Sequence, residues 1–167
     1  MATTQFKGTD VELLGNEVNV GDKAPAITVV NSDGLGDVTV GGAQGKKQLI
    51  IVVPSLDTGV CATETRNFNA KAADMGDVIT TIVSLDLPFA SGRFCSAEGI
   101  TNLTVTSDFR NKDFANAYGV LLGGSVLAGV TCRAIFAVNE EGVVTYKQIV
   151  PEITQEPDYD AALAAVK

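Results

Sequence analysis

The 167-residue sequence contains no histidine. That excludes Ser-His-Asp and Cys-His nucleophilic pairs, histidine general bases, histidine-held haem and nearly every zinc or copper site. Tryptophan is absent too, and cysteine occurs only three times. Three unevenly spaced cysteines do not make a structural disulfide framework. Basic charge is scarce: 12 Lys and Arg stand against 20 Asp and Glu, a formal net charge of -8. The arginines, Arg66, Arg93, Arg110 and Arg133, are scattered and form no basic stripe. Nucleic acid and anionic membranes are therefore not expected partners. No stretch approaches the ~20 apolar residues that cross a bilayer. The first twenty positions carry Lys7, Asp10, Glu12 and Glu17, which is not the pattern of a secretory signal. The expected location is the cytoplasm.

What is present fills a core. Hydrophobic residues make up 46% and charged residues 19%, a balance that argues against disorder. There is no repeat, low-complexity tract or linker, so one domain is expected over residues 1–167. Phe6 to Leu14 with Asn16 to Val20 reads as an N-terminal hairpin. Ala26 to Val30 and Val38 to Val40 flank a turn at Asn31 to Gly34. Gln48 to Val53 is an unbroken apolar run, the mark of a strand buried on both faces, and Pro54 ends it. Thr58 to Met75 reads as a helix on the spacing of Phe68, Ala72 and Met75, with Gly76 as its C′ residue. Val78 to Leu85 is a second buried strand. A short helix at Phe89 to Glu98, a strand at Leu103 to Val105 and a helix at Asp113 to Tyr118 follow. Arg133 to Val138 and Val143 to Gln148 flank Asn139 to Gly142 as a hairpin, and Asp158 to Val166 is a closing helix. A βαβ unit followed by antiparallel ββα predicts an α/β protein with a mixed central sheet flanked by helices, of the thioredoxin type.

Gly41 to Lys47 does not qualify as a phosphate loop. Gly41 and Gly45 are too close, no Ser or Thr follows the lysines, and a strand follows rather than a helix. The segment Pro54-Ser55-Leu56-Asp57-Thr58-Gly59-Val60-Cys61 is more informative. It places a cysteine at the start of a helix, just after a buried strand. Unpaired N–H groups and the helix dipole favour an anion there, which stabilises a thiolate. The Thr58 hydroxyl is expected to turn towards that sulfur or to cap the helix.

This segment resembles the peroxiredoxin active-site pattern Pro-x-x-x-Thr-x-x-Cys, and in its fuller form that of the bacterial thiol peroxidases. Arg93 to Gly99, Asp108 to Phe114 with Ala117 to Val120, and Glu156 to Leu163 are similar to further segments of the same subfamily. The resemblance spans essentially the whole chain. It implies a thiol-dependent peroxidase that reduces hydrogen peroxide and organic hydroperoxides, with no cofactor and no metal. Cys61 would be the peroxidatic nucleophile. Thr58 would bond the sulfur and the peroxide, Arg133 would supply a fixed cation, and Pro54 would shield the sulfur from water. Cys95 would resolve the Cys61 sulfenic acid as an intramolecular disulfide, and thioredoxin would recycle it. A homodimer is also implied. Cys132 matches no role in that pattern and is expected to be a buried small residue. A rival reading is a thioredoxin-fold redox sensor that passes oxidation from Cys61 to a partner. A disulfide oxidoreductase is disfavoured by the missing Cys-x-x-Cys.

Overall fold

The computed structural model describes residues 2–167. Its core is strand β5 (Gln48–Val52), every residue of which is buried. β5 pairs in parallel with β6 (Ile79–Ser84), and β6 in parallel with β7 (Thr104–Ser107). On its other side β5 pairs antiparallel with β9 (Ala134–Val138), which pairs with β10 (Val144–Ile149). The hairpin of β3 (Ile27–Asn31) and β4 (Asp37–Val40) joins beyond β7. The result is a seven-stranded mixed sheet ordered β10-β9-β5-β6-β7-β3-β4. The mixed sheet with flanking helices is the arrangement expected from the sequence.

Two cores follow from the period of two along the strands. Ile50, Val52, Ala134 and Phe136 point to one face, against helix α3 (Asp113–Tyr118) and the N-terminal strands. Leu49, Ile51, Val53 and Ile135 point to the other, with Cys61 and Phe68 of helix α1 (Gly59–Ala72). Helix α2 (Pro88–Glu98) packs Phe94 and Cys95 against this second core, and helix α4 (Tyr159–Ala164) contributes Ala162. Cys61 and Cys95 thus share one face of the sheet.

Two expectations need correction. The N-terminal hairpin is formed by β1 (Thr3–Phe6) and β2 (Thr9–Leu14), not by a strand at 16–20. Its two-residue turn is Lys7-Gly8, both with positive φ (52° and 80°). Lysine is an unusual residue there, and the turn signal was hidden. Residues Leu121–Leu122 form a further short strand, β8, against β2. α1 ends at Ala72 with Ala73 as its cap, short of Gly76, which lies in the turn beyond. The Gly41 to Lys47 segment is a turn between β4 and β5. Gly41 (φ 82°) abuts the Pro25 carbonyl and the Tyr118 hydroxyl too closely for any side chain.

Candidate active site

β5 ends at Val52, and the chain passes through buried Pro54 into a loop and then α1. Asp86, just after β6, fixes this loop. Its carboxylate accepts from the Ser55 hydroxyl at 2.7 Å and from the Leu56 N–H at 2.8 Å. The first bond of α1 runs from the Ala62 N–H to the Thr58 carbonyl at 2.9 Å. The N–H groups of residues 59–61 therefore face the helix start, where they favour negative charge. Cys61 lies in that first turn and is fully buried.

The β5–β9 register opposes Val52 to Ala134 and so carries Arg133 to the end of β5, beside the loop. The Thr131 hydroxyl, donating to the Val53 carbonyl at 2.7 Å, holds the incoming segment there. Arg133 is only 2% exposed. Its Nη1 donates to Cys61 Sγ at 3.1 Å and to Glu64 Oε2 at 2.7 Å, and its Nε donates to the Ile153 carbonyl at 2.9 Å. Burial opposes the guanidinium charge, but Cys61 and Glu64 more than offset it and hold Arg133 above its ordinary value. A guanidinium is suited to this setting because it stays charged and offers several donors in a fixed plane.

Glu64 was not singled out from the sequence. It lies one turn beyond Cys61, at i+3 on the buried face of α1, and is itself fully buried. Burial pushes its carboxyl up to about 7, against the opposing pull of Arg133. The signal that could have found it is the stripe Cys61, Glu64, Thr65, Phe68, a charged residue on an otherwise inward face.

Thr58 departs from expectation. Its hydroxyl donates to the Ser55 carbonyl at 3.0 Å and makes no cap bond to α1. It is exposed, at the outer edge of the site. With its proton committed to Ser55, the hydroxyl presents lone pairs and can accept a bond from an incoming O–H.

Cys95 opens the last turn of α2, half-buried, and burial pushes its thiol up. It lines a cavity of about 740 Å³ with Ser32, Gly92, Ile100 and Val105, and Cys61 is not part of that lining. The cysteine helices are tied by an Arg66–Glu98 ion pair at 3.0 Å. All three cysteines are free thiols. Cys132 is fully buried among the residues of the opposite core, and burial pushes its thiol up to about 12. No group of side chains suited to hold a metal ion occurs among the described residues.

The redoxin family profile matches residues 19–163. The chain is 52% identical to the thiol peroxidase of Aquifex aeolicus over 99% of its own length and 96% of the relative's. It is 51% identical to the thiol peroxidase of Campylobacter jejuni, over 95% and 89% respectively. Among solved structures, the peroxiredoxin-like protein of Aquifex aeolicus superposes with a TM-score of 0.95 at 51% identity, covering 98% of this chain and 95% of that one. A helix-start cysteine under a buried arginine, on a thioredoxin-like sheet and with relatives this close, places the chain in the redoxin family as a thiol-dependent peroxidase of the peroxiredoxin type.

Proposed function

We propose that Cys61 is the peroxidatic nucleophile and that Cys95 resolves it, within a single domain spanning residues 1–167. The observation that carries this reading is the 3.1 Å contact between Arg133 Nη1 and the buried Cys61 sulfur. The thiolate attacks the near oxygen of a hydroperoxide. The O–O bond breaks, the far oxygen leaves as alkoxide or hydroxide and takes up a proton, and Cys61 becomes a sulfenic acid. Arg133 holds the attacking anion and faces the charge that shifts onto the leaving oxygen. The Thr58 hydroxyl accepts from the peroxide O–H, and Pro54 keeps bulk water from the sulfur.

The Cys95 thiolate then attacks the sulfenic sulfur, a disulfide forms, and the hydroxide that leaves takes up the proton released by the Cys95 thiol to give water. A dithiol protein of the thioredoxin kind reduces the disulfide and is itself oxidised. Hydrogen peroxide and organic hydroperoxides are both accepted, giving water and alcohols. The close similarity to thiol peroxidases supports the peroxidase reading; a homodimeric state and a cytoplasmic location belong to the same proposal. No helix among the described residues is long and apolar enough to cross a membrane.

The test is peroxide consumption in a thioredoxin-coupled assay. Cys61→Ser is expected to be inactive. Cys95→Ser is expected to undergo one stoichiometric oxidation and to lose thioredoxin-dependent turnover. Turnover retained in Cys61→Ser refutes the assignment, and a wild type that stops after one oxidation points to a sensor.

A further inference from the structure

Glu64 occupies a place where an apolar side chain would normally sit. It shares the buried face of α1 with Cys61 and Phe68. Oε2 takes the 2.7 Å bond from Arg133 Nη1, while Oε1 is buried with no hydrogen-bond partner. The same Nη1 contacts Cys61 Sγ. Two acids therefore face one cation in a space closed to solvent. One guanidinium compensates one negative charge, and a second anion would lie buried without a partner.

We propose that Glu64 is a positioning residue that shares one proton with Cys61 across Arg133, so that a thiolate at Cys61 and a carboxylate at Glu64 disfavour each other. This deepens the assignment of Cys61 as nucleophile and rests on it. The titratable and charged groups around Glu64 are Cys61 on its own helix, Arg133 from the segment entering β9, and Glu156 and Tyr159 from the C-terminal segment. Glu156 further disfavours the carboxylate. The Tyr159 phenol is pushed up, chiefly by burial, and stays neutral. The orphaned Oε1 fits this scheme, because an unpaired buried oxygen costs far less in a neutral carboxyl than in a carboxylate. Protonated Glu64 leaves the whole Arg133 charge to the sulfur; ionised Glu64 divides it. In a chain without histidine, the proton given up by Cys61 has an acceptor in the same enclosure.

Glu64→Gln keeps an oxygen for Arg133 Nη1 and cannot ionise. The experiment follows ultraviolet thiolate absorbance against pH, with the Cys61→Ser signal subtracted. The wild type should titrate in two steps, because two interacting acids lose protons as a pair. Glu64→Gln should titrate in one step with its midpoint about one pH unit lower, a tenfold change in the thiol–thiolate equilibrium. A purely structural role would loosen Arg133 and move the midpoint up. A midpoint unmoved or raised in Glu64→Gln overturns the inference. If that variant does not fold, the wild-type curve decides: a single step overturns it and two steps sustain it. Peroxide turnover in Cys61→Ser separates the two readings. Retained turnover refutes the nucleophile assignment, whereas lost turnover with an unmoved Glu64→Gln midpoint refutes only the shared proton.

Discussion

Arg133 holds Cys61 through one nitrogen, Nη1, at 3.1 Å, and the same nitrogen holds Glu64. Lysine cannot reproduce this arrangement while also bonding the Ile153 carbonyl, because it lacks the planar fork. Arg133→Lys should slow sulfenic acid formation by about 10²-fold, in the range seen when a preorganised charge donor is lost. Arg133→Met should also destabilise the fold by about 3 kcal/mol at alkaline pH, where Glu64 is left ionised and alone. Stopped-flow peroxide oxidation and denaturant unfolding check the two parts. Wild-type rates in Arg133→Lys would contradict the role.

The Glu64 carboxyl gives stability a pH dependence of defined sign. Its folded value, about 7, lies above its ordinary value of 4.5. Between those values the folded protein keeps a proton that the unfolded chain has released. The contribution is fully present below pH 4.5 and is lost as pH rises through 7, on the order of a few kcal/mol. Subtracting the unfolding free energies of Glu64→Gln from those of the wild type isolates this term. The difference should fall across that window; a flat difference would contradict it.

Cys132 should be chemically silent. The sheet alternation that turns Arg133 towards Cys61 turns Cys132 to the opposite core. Alkylation of the native protein followed by mass spectrometry should leave Cys132 unmodified until the chain unfolds. Cys132→Ala should keep thioredoxin-dependent turnover. Loss of resolution in that variant would assign Cys132 the part given to Cys95.

Disulfide formation between Cys61 and Cys95 should loosen both helices. Linked cysteines need Cα atoms within about 7 Å, yet each thiol belongs to a formed helix. Helix α2 is suited to yield. It carries Gly92 in its interior, which costs about 1 kcal/mol against alanine. Its Ser91 hydroxyl is buried without a partner, and the cavity beside Cys95 gives room to move. Hydrogen exchange should show protection lost around residues 59–62 and 88–98 on oxidation. Arg66→Ala, which removes the exposed tie to Glu98, should speed resolution no more than a few-fold. Unchanged protection on oxidation would rule out the unwinding.

The elements most legible in the sequence were those set by local pattern. The apolar run Gln48 to Val53 declared a doubly buried strand, observed over Gln48–Val52, and Asp113–Tyr118 formed a helix over the residues expected. The placement of Cys61 at a helix start was legible because it depends on neighbours in sequence: a strand, a proline and the helix that follows. Glu64 and Asp86 were not, because what distinguishes them is long-range. Glu64 is one of many acids until Arg133 and burial single it out, and Asp86 acquires its role only when β6 brings it beside the 54–58 loop. Thr58 was placed correctly in the chain, but its hydroxyl follows the loop and bonds Ser55. The Lys7-Gly8 turn was missed because its first residue is not one that usually takes a positive φ.

The grip of Ile153 on Arg133 reaches back to the N-terminal strands. The Gln5 carbonyl accepts from the Ile153 N–H at 2.8 Å, the Thr4 hydroxyl donates to the Val150 carbonyl, and the N–H groups of Lys7 and Gly8 donate to Glu152. Segments from the beginning, middle and end of the fold thus converge on one guanidinium. Contacts this distant in sequence carry a high loop-closure cost and form late. The cation beside Cys61 is thus assembled only with the finished tertiary structure, so a partly folded chain holds this cysteine without its guanidinium partner.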